Sequence, residues 1–518
     1  MPDVKDILAM MEDLTPEQRE LVERASAFAH EKHEGHVRNS GEPYFVHLFE
    51  TARELAELGM GPRTVAAGFL HDCIEDADVD PEEVRAAFGD EILFLIQGVT
   101  KLGHLKYQGA ERHAESLRRL FVATSQDIRV LMIKLMDRLH NMKTLEHVRP
   151  DKRVRIAKET LEIYAPIADR LGMGRLKREL EDLAFAWVDP EEYAHMERLV
   201  KERGTDREDE LRRCLEPLRR ELTTNGIANF RTEYRIKGLY SLCKKLERKK
   251  YDIENIYDVL AIRIIVPSVA DCYQTLGIIH SLWRPLPGKI KDYIAFPKPN
   301  GYQSLHTTVI TDSVGVIELQ IRTESMHREA QYGIASHLAY KQHGSAKVDR
   351  EQTRQNRVWY QFLLPSILRG RGEDADRNII QTSFHAAPEW LREIGETYSK
   401  DAPADERFVE GLKSDFFSHR VFVFTPQGDV IDLPIDSSPV DFAYAVHSDI
   451  GDHIAAAKVN GKFVSLGSQL KNGDIVQIET KPSAHPTQKW LDYAKTSLAR
   501  RKIVSSLGRR EKEEGAVT

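Results

Sequence analysis

The sequence predicts a multidomain protein: an all-α block, then an α+β block, then a small α/β module. Length is the first reason, since 518 residues accommodate about three or four ordinary domains. Periodicity is the second. Apolar residues recur at every third and fourth position up to about residue 195, then begin to alternate from residue 230. The third is a polar interval, with 344–355 and the charged, glycine-containing run 369–376 lying before a renewed alternation at His419.

The helical block opens with Thr15 as an N-cap, Pro16 at the first helical position and an acid in the first turn. Residues 66–74, 130–145 and 153–171 repeat apolar side chains at helical spacing, and Trp187-Val188-Asp189-Pro190 closes the block. One charged amphipathic helix is expected over 191–225. Strands are expected over 230–237, 259–266, 307–310 and 316–321, and helices over 240–249, 271–283 and 325–341. Residues 346–410 read as a linker with short helices near Trp359 and Trp390. Val421 to Phe424, the turn Pro426-Gln427-Gly428-Asp429 and Val430 to Leu433 read as a hairpin. The module ends near residue 480, and 489–510 reads as a basic helix. The domains expected are 1–195, 196–345, 411–482 and the start of a further helical region at 483–518.

Hydrophobic residues at 41% and charged residues at 30% exclude a collagen-like or wholly disordered chain. No apolar run approaches the ~18 residues that span a bilayer. The opening residues, Met1 to Asp6, lack the basic-then-apolar order of a secretory signal. A cytoplasmic protein without a membrane partner is expected. The net charge of −7 excludes a uniformly basic nucleic-acid coat and leaves room for local basic patches. Cys73, Cys214, Cys243 and Cys272 form no CxxC pair, which excludes a thiolate zinc site and predicts reduced thiols. A metal must then be held by carboxylates and by some of the 20 histidines.

In His71-Asp72-Cys73-Ile74-Glu75-Asp76, helical spacing would place His71 with Glu75 and Asp72 with Asp76. Like charges so close are costly without a cation. His47 and Asp137 are further candidates. Two imidazoles and two carboxylates suit a divalent ion of mixed nitrogen and oxygen preference, such as Mn²⁺.

These residues match the H…HD…D pattern of HD-domain phosphohydrolases. The strings Arg38-Asn39-Ser40-Gly41-Glu42-Pro43-Tyr44, His71-Asp72-x-x-Glu75-Asp76 and Asp137-Arg138-Leu139-His140-Asn141-Met142-Lys143-Thr144-Leu145 resemble the RelA/SpoT homologues. The resemblance implies an Mn²⁺-dependent hydrolase that removes the 3′-pyrophosphate of (p)ppGpp. It implies His47, His71, Asp72 and Asp137 as ligands, Glu75 and Asp76 as positioners or activators of water, and Arg38, Asn141 and Thr144 as substrate contacts. Leu48 departs from the family, which usually has proline after the histidine.

In the α+β block, Arg235 and Lys237 share a strand face, while Ser241 and Lys245 lie one helical turn apart. Cations beside a helix N-terminus make an anion site. Asp258 at a strand entry, with Glu318 and Gln320 on one face of another strand, supplies carboxylate for Mg²⁺. The Asn300-Gly301 turn leaves Tyr302 free to stack on a base and His306 to reach phosphates.

Five ordered motifs between Arg235 and Thr323 resemble the synthetase domain of the same family: Arg235 to Lys245, Tyr257 to Arg263, Asp292 to Lys298, Gly301 to Thr307 and Glu318 to Thr323. The resemblance implies transfer of pyrophosphate from ATP to the 3′-hydroxyl of GDP or GTP. Arg235, Lys237, Ser241, Lys245 and Arg263 would hold ATP. Asp258 and Glu318 would hold Mg²⁺, with Glu318 also the base. Lys298, Tyr302, Gln303, His306 and Gln320 would receive GDP or GTP. Lys289-Ile290-Lys291-Asp292 keeps the basic character of bifunctional members.

Residues 418–426 and 441–451 resemble a TGS domain, a β-grasp-like module that in long members inspects uncharged tRNA on the ribosome. His447 matches the residue implicated there. The fold class implied is thus an all-α HD-domain hydrolase, an α+β nucleotidyltransferase-like synthetase and a TGS module, in a long, bifunctional, Rel-type member lacking the domains C-terminal to TGS. The rival readings are a hydrolase-dominant member with a weak synthetase, and a non-catalytic ribosome- or tRNA-binding regulator. Intact Asp258, Glu318, Tyr302 and HDxxED weigh against both.

Overall fold

The computed structural model describes residues 2–11, 13–100, 124, 126–204, 208–248, 260–298, 300–311, 315–336, 338, 420–428, 430–471 and 473–515. They fall into two compact units, one containing the described residues up to 338 and the other those from 420 onward.

The first unit begins with α1 (Val4–Met10) and α2 (Pro16–Lys32). Thr15 Oγ1 accepts the Gln18 amide at 3.3 Å, and the Thr15 amide donates to Gln18 Oε1 at 3.0 Å, closing a capping box. α3 (Tyr44–Glu57) buries Phe45, Leu48, Phe49, Ala52 and Leu55, and packs against α4 (Pro62–Leu70). Burial of each large apolar side chain contributes ~1.5–3 kcal/mol.

The helix expected through residue 74 stops at Leu70. His71 and Asp72 form a turn, with Asp72 at φ −102°, ψ −1°, before the single turn α5 (Cys73–Asp76). Consecutive positions on a helix point about 100° apart; the turn lets these two neighbours reach one place. α6 (Pro81–Thr100) bends at Gly89, and α7 (Ile128–Lys143), capped by Asp127, packs against α3 and α6.

The helix expected over 153–171 is divided into α8 (Pro150–Glu159), a π-helical turn (Thr160–Tyr164) and α9 (Ala165–Arg170). Pro166 has no amide to donate to residue 162, so the ladder shifts register there. α10 (Gly174–Val188) packs against α7. The stretch expected as one helix over 191–225 is two, α11 (Pro190–Gly204) and α12 (Glu208–Thr224).

The α+β part contains β1 (Arg231–Ile236), α13 (Leu239–Arg248), β2 (Leu260–Val266), α14 (Val269–Leu282), β3 (Arg284–Pro285), β4 (Lys291–Asp292), β5 (Leu305–Thr311), β6 (Gly315–Thr323) and α15 (Glu324–Tyr332). The sheet order is β1-β2-β6-β5-β3, with β4 also on β5; β2 and β6 run parallel and the other pairs antiparallel. Alternation divides the sheet into two faces. Ile262, Ile264, Leu305, Leu319 and Ile321 pack with Leu215, Leu218 and Leu222 of α12 and with Cys272 and Ile279 of α14. Glu233, Arg235, Arg263, His306, Glu318, Gln320 and Arg322 lie on the opposite face. The helix expected over 325–341 is interrupted at Gly333, whose φ is +54°. α10 also contacts α13 and α15, so the helical and α+β blocks share one unit.

The second unit has a hairpin of β7 (Arg420–Phe424) and β8 (Val430–Pro434), where the sequence placed one. α16 (Pro439–Val446) and α17 (Ser448–Asp452) lead to the three-stranded sheet of β9 (Ile454–Val459), β10 (Lys462–Val464) and β11 (Val476–Thr480), with β9 central. α18 (Trp490–Tyr493) and α19 (Ser497–Gly515) follow. Asp441 is wholly buried yet satisfied: Ser438 Oγ donates to one oxygen at 3.0 Å, and the amides of Lys495 and Thr496 donate to the other at 2.8 Å each. No helix among the described residues is long and apolar enough to cross a membrane.

Glu329 on α15 tests the packing of the first unit. Burial pushes its carboxyl up to about 7 from an ordinary 4.5. The folded protein keeps a proton there that the unfolded chain releases. The stability is therefore full below pH 4.5 and is lost as pH rises towards 7. Glu329→Gln is expected to match the parent at low pH and to exceed it by roughly 1–3 kcal/mol at mildly alkaline pH, read from urea midpoints.

Candidate functional site

Three segments of the helical block converge on one buried cluster. α3 contributes His47, the turn before α5 contributes His71 and Asp72, and α7 contributes Asp137. Asp72 Oδ2 lies 3.4 Å from His47 Nε2 and 3.1 Å from His71 Nε2. Asp137 Oδ1 lies 3.4 and 3.9 Å from the same two nitrogens. His47, His71 and Asp137 present donor atoms within 4.8 Å of one another. The four sequence-selected ligand candidates therefore meet.

Their neighbours set the tautomers. His71 Nδ1–H donates to the carbonyl of Gly68 at 2.8 Å, and His47 Nδ1–H donates to His140 Nδ1 at 2.9 Å. Both Nε2 atoms then face the carboxylates. His140 can accept because burial, with His47 and Arg38, pushes its imidazole down to about 3. Burial alone would also lower His71, but Asp72 outweighs it and holds His71 up at about 9. Burial likewise opposes ionisation of Asp137, yet Lys134, whose ammonium is 2.7 Å from Asp137 Oδ2, and the imidazoles hold its carboxyl low. The donor set, two imidazoles and two carboxylates within reach of one another, fits a divalent ion of mixed nitrogen and oxygen preference.

Beside the cluster, the Tyr44 hydroxyl lies 2.9 Å from Asp72 Oδ2 and 2.5 Å from Asp76 Oδ2, so Asp76 is held next to a ligand candidate. Tyr44 stacks on His33. Glu75 is half-buried on α5. Arg38 donates to Thr144 Oγ1 at 3.1 Å, to His140 Nδ1 at 3.2 Å and to Asn141 Oδ1. Asn141 Nδ2 in turn donates to Asp137 Oδ1 at 2.6 Å. Arg38, Asn141 and Thr144 are thus brought together as the sequence implied. Sequence reasoning had not selected Tyr44, His140 or Lys134 for the site. The i, i+3 spacing of Lys134 and Asp137 was the one local signal for the lysine.

On the polar face of the sheet, His306 sits opposite Gln320 and Thr308 opposite Glu318, while Ala261 pairs with Glu318 and Arg263 with Gln320. Glu318 Oε1 is 3.0 Å from His306 Nδ1 and accepts from Gln320 Nε2 at 3.0 Å. Arg235 Nη1 donates to Gln320 Oε1 at 3.1 Å. His306 Nε2 meets the Tyr302 hydroxyl at 2.8 Å. Burial lowers His306, and the neutral ring can donate from Nδ1 to Glu318 while accepting from Tyr302 at Nε2. The ammonium of half-buried Lys298 lies 5.0 Å from the Tyr302 ring centroid. Arg263 bonds Glu233 at 2.7 Å. Arg263 Nε and Arg322 Nε are buried without a hydrogen-bond partner, and burial pushes Arg322 down to about 10. A face with these two guanidiniums and that of Arg235 favours an anion.

Other expectations are met differently. Ser241 and Lys245 do share α13, but Ser241 Oγ donates to Glu181 of α10 at 2.9 Å, and Asp182 Oδ1 accepts the Tyr240 amide at 3.1 Å. The helix N-terminus read as an anion seat is therefore capped by carboxylates of the helical block. Lys237 follows β1 and is half-buried; Gln303 donates to the Ile294 carbonyl at 3.3 Å. Asp258 lies outside the described residues. His447, the tRNA-contact candidate, lies between α16 and α17, exposed, its Nδ1 accepting the Asp449 amide at 3.2 Å.

The helical cluster, the sheet face and the C-terminal module each match a known domain. Residues 25–174 match the HD domain, 234–345 the region found in RelA / SpoT proteins, and 421–480 the TGS domain. The chain belongs to the RelA/SpoT family. It is 45% identical over 96% of its length to guanosine-3′,5′-bis(diphosphate) 3′-pyrophosphohydrolase of Aquifex aeolicus, of which it covers 66%. It is 40% identical over 96% of its length to GTP pyrophosphokinase of Myxococcus xanthus, covering 61% of that protein. It is also 40% identical over 95% of its length to the bifunctional (p)ppGpp synthase/hydrolase SpoT of Escherichia coli, covering 65%. The chain thus spans between 61% and 66% of the length of these relatives.

His140→Ala removes the acceptor that fixes the His47 tautomer. Calorimetric titration with Mn²⁺ is expected to show about 10–100-fold weaker binding than the parent.

Proposed function

We propose that the chain is a bifunctional alarmone enzyme. It makes (p)ppGpp by transferring pyrophosphate from ATP to the 3′-hydroxyl of GDP or GTP, and it hydrolyses (p)ppGpp to GDP or GTP and pyrophosphate. The observation that supports this reading is the presence, in one compact unit, of two constellations of opposite character among the described residues. One is an acid-imidazole cluster built for a cation; the other is a guanidinium-rich sheet face ending in Glu318. Relatives whose names carry each activity support it.

In the hydrolase, His47, His71, Asp72 and Asp137 would hold Mn²⁺, which supplies Lewis acidity towards water and phosphate oxygen. Arg38, with Asn141 and Thr144, receives the nucleotide. Asp76, held beside Asp72 by Tyr44, and Glu75 orient water and take its proton as the water oxygen bonds to the 3′-phosphorus and the ribose 3′-oxygen leaves.

In the synthetase, Asp258 and Glu318 would hold Mg²⁺. Arg235, Lys237, Ser241, Lys245 and Arg263 bind ATP. Lys298, Gln303, His306 and Gln320 bind the acceptor, with its guanine against Tyr302. Glu318 takes the 3′-hydroxyl proton as that oxygen bonds to the β-phosphorus of ATP and AMP departs. The bonds from His306 and Gln320 to Glu318 fix the direction of its carboxylate. The TGS module would contact uncharged tRNA on the ribosome, with His447 exposed for that role.

Incubating the purified protein with ATP and GDP, then with ppGpp and Mn²⁺, and resolving the nucleotides tests both activities. Asp72→Ala is expected to abolish ppGpp hydrolysis and spare synthesis; hydrolysis at the parental rate in metal-depleted protein would sink the cation assignment. Glu318→Gln is expected to do the reverse, with synthesis down about 10²–10⁴-fold. Undiminished synthesis would remove Glu318 from the mechanism.

A further inference from the structure

We infer that Asn300, with the α9–α10 corner of the helical block, positions the acceptor-base loop, so that the helical block forms part of the pyrophosphate-acceptor site. This deepens the reading above and rests on Tyr302 as the residue that meets the acceptor base.

Asn300 is tied on both sides. Its Nδ2 donates to the carbonyl of Asp169 at 3.0 Å, and its Oδ1 accepts the amide of Tyr302 at 3.3 Å. Asp169 is in the last turn of α9, and the chain then turns at Gly172, where φ is +74°. The seam admits no side chain. A Cβ on Gly172 would lie 2.7 Å from the Asn300 carbonyl oxygen. One on Gly174 would lie 2.6 Å from the Ala330 oxygen, and one on Gly333 would lie 2.1 Å from the Leu171 oxygen. The Ile334 amide donates to Leu171 at 3.0 Å across the same seam. Backbone of the helical block therefore packs directly on backbone of the α+β block.

On the other side of Asn300 the contacts run into the site. The loop is closed by the Gly301 amide to the Lys298 carbonyl at 2.8 Å and by the Lys298 amide to the Tyr302 carbonyl at 3.1 Å. The Tyr302 hydroxyl meets His306 at 2.8 Å, and His306 meets Glu318 at 3.0 Å. Displacing the corner displaces Tyr302. Arg235 and Arg263, read as ATP contacts, lie on β1 and β2, separated from β5 by β6. A defect at the seam should fall on the acceptor, not on ATP.

The test is steady-state synthesis with GDP and ATP varied separately, plus ppGpp hydrolysis, for the parent, Asn300→Ala and Gly172→Ala. In both variants KM for GDP is expected to rise roughly tenfold, with KM for ATP and the hydrolysis rate unchanged. A change in the helical block that damages only acceptor use in the neighbouring block is not what a general loss of stability produces. An unchanged KM for GDP in Asn300→Ala, or equal rises for GDP and ATP, overturns the inference. If Gly172→Ala does not fold, Asn300→Ala decides alone. A parent protein that makes no product overturns the synthetase reading instead. Calorimetric GDP binding to the parent and to Asn300→Ala then still measures the positioning.

Discussion

Two carboxylates, Asp72 and Asp137, are held in the interior of the helical block, and the surrounding side chains are arranged to make this tolerable. A carboxylate taken from water without partners costs several kcal/mol. Here each carboxylate meets both His47 and His71, and Asp137 also meets Lys134 and Asn141. The carbonyl of Gly68 and the neutral ring of His140 orient the two imidazoles from behind. Gly68 also lets α3 and α4 approach closely, since a Cβ there would lie 2.5 Å from the tip of the Leu55 side chain. Helix packing and ligand orientation are thus satisfied by the same residue.

The α+β block meets the opposite requirement. It must present cations in quantity without losing its core, and sheet alternation solves this by sending one set of side chains to α12 and α14 and the other to the opposite, guanidinium-bearing face. Register then decides which groups become neighbours. Because β2 runs parallel to β6 and β5 antiparallel to it, Arg263, Gln320 and His306 fall in one row, and Glu318 in the next. Arg322 is almost wholly buried on this face, and the nearby Arg263 and Arg235 add to the burial that lowers its affinity for a proton. The sheet face carries positive charge that its own carboxylates only partly balance.

Much of this was legible in the sequence because it depends on period and motif. The change from helical spacing to alternation located the two blocks, and the strands around 231–236, 260–266, 305–311 and 315–323 fell where β-branched runs predicted them. The HD and synthetase strings named residues that the fold does bring together: the four cluster ligands, Arg38 with Asn141 and Thr144, and Glu318 with His306 and Tyr302. What escaped was non-local or conformational. The turn at His71 and Asp72 contains no glycine or proline to mark it. The bond from Ser241 to Glu181 joins residues 60 positions apart, and that from Arg38 to His140 joins residues 102 apart. Gly333 interrupts an amphipathic pattern that continues on both sides, since the reason for the break is the backbone of residues 171–173 lying against it.

α10 is where the two blocks' separate demands meet. On one side it packs against α7, which carries Asp137 and Asn141, and Glu179 bonds Lys143 of that helix at 3.1 Å. On the other, Glu181 holds Ser241 and Asp182 caps the start of α13. Burial raises the pKa of both carboxyls, so their ionised forms are already costly where they sit. A polyphosphate arriving at Arg235 and Ser241 would add negative charge beside them and compete for the same donors. The grip of α10 on α13 and the proposed grip of α13 on an anion would therefore oppose each other. Any relief by movement of α10 must be felt at its contact with α7. By linkage, the free energy with which occupancy of the sheet site disfavours one arrangement of the helical cluster equals that with which the cluster's ligand disfavours occupancy of the sheet. An antagonism between the two proposed activities would then need no dedicated regulatory element, only a helix whose side chains touch both blocks.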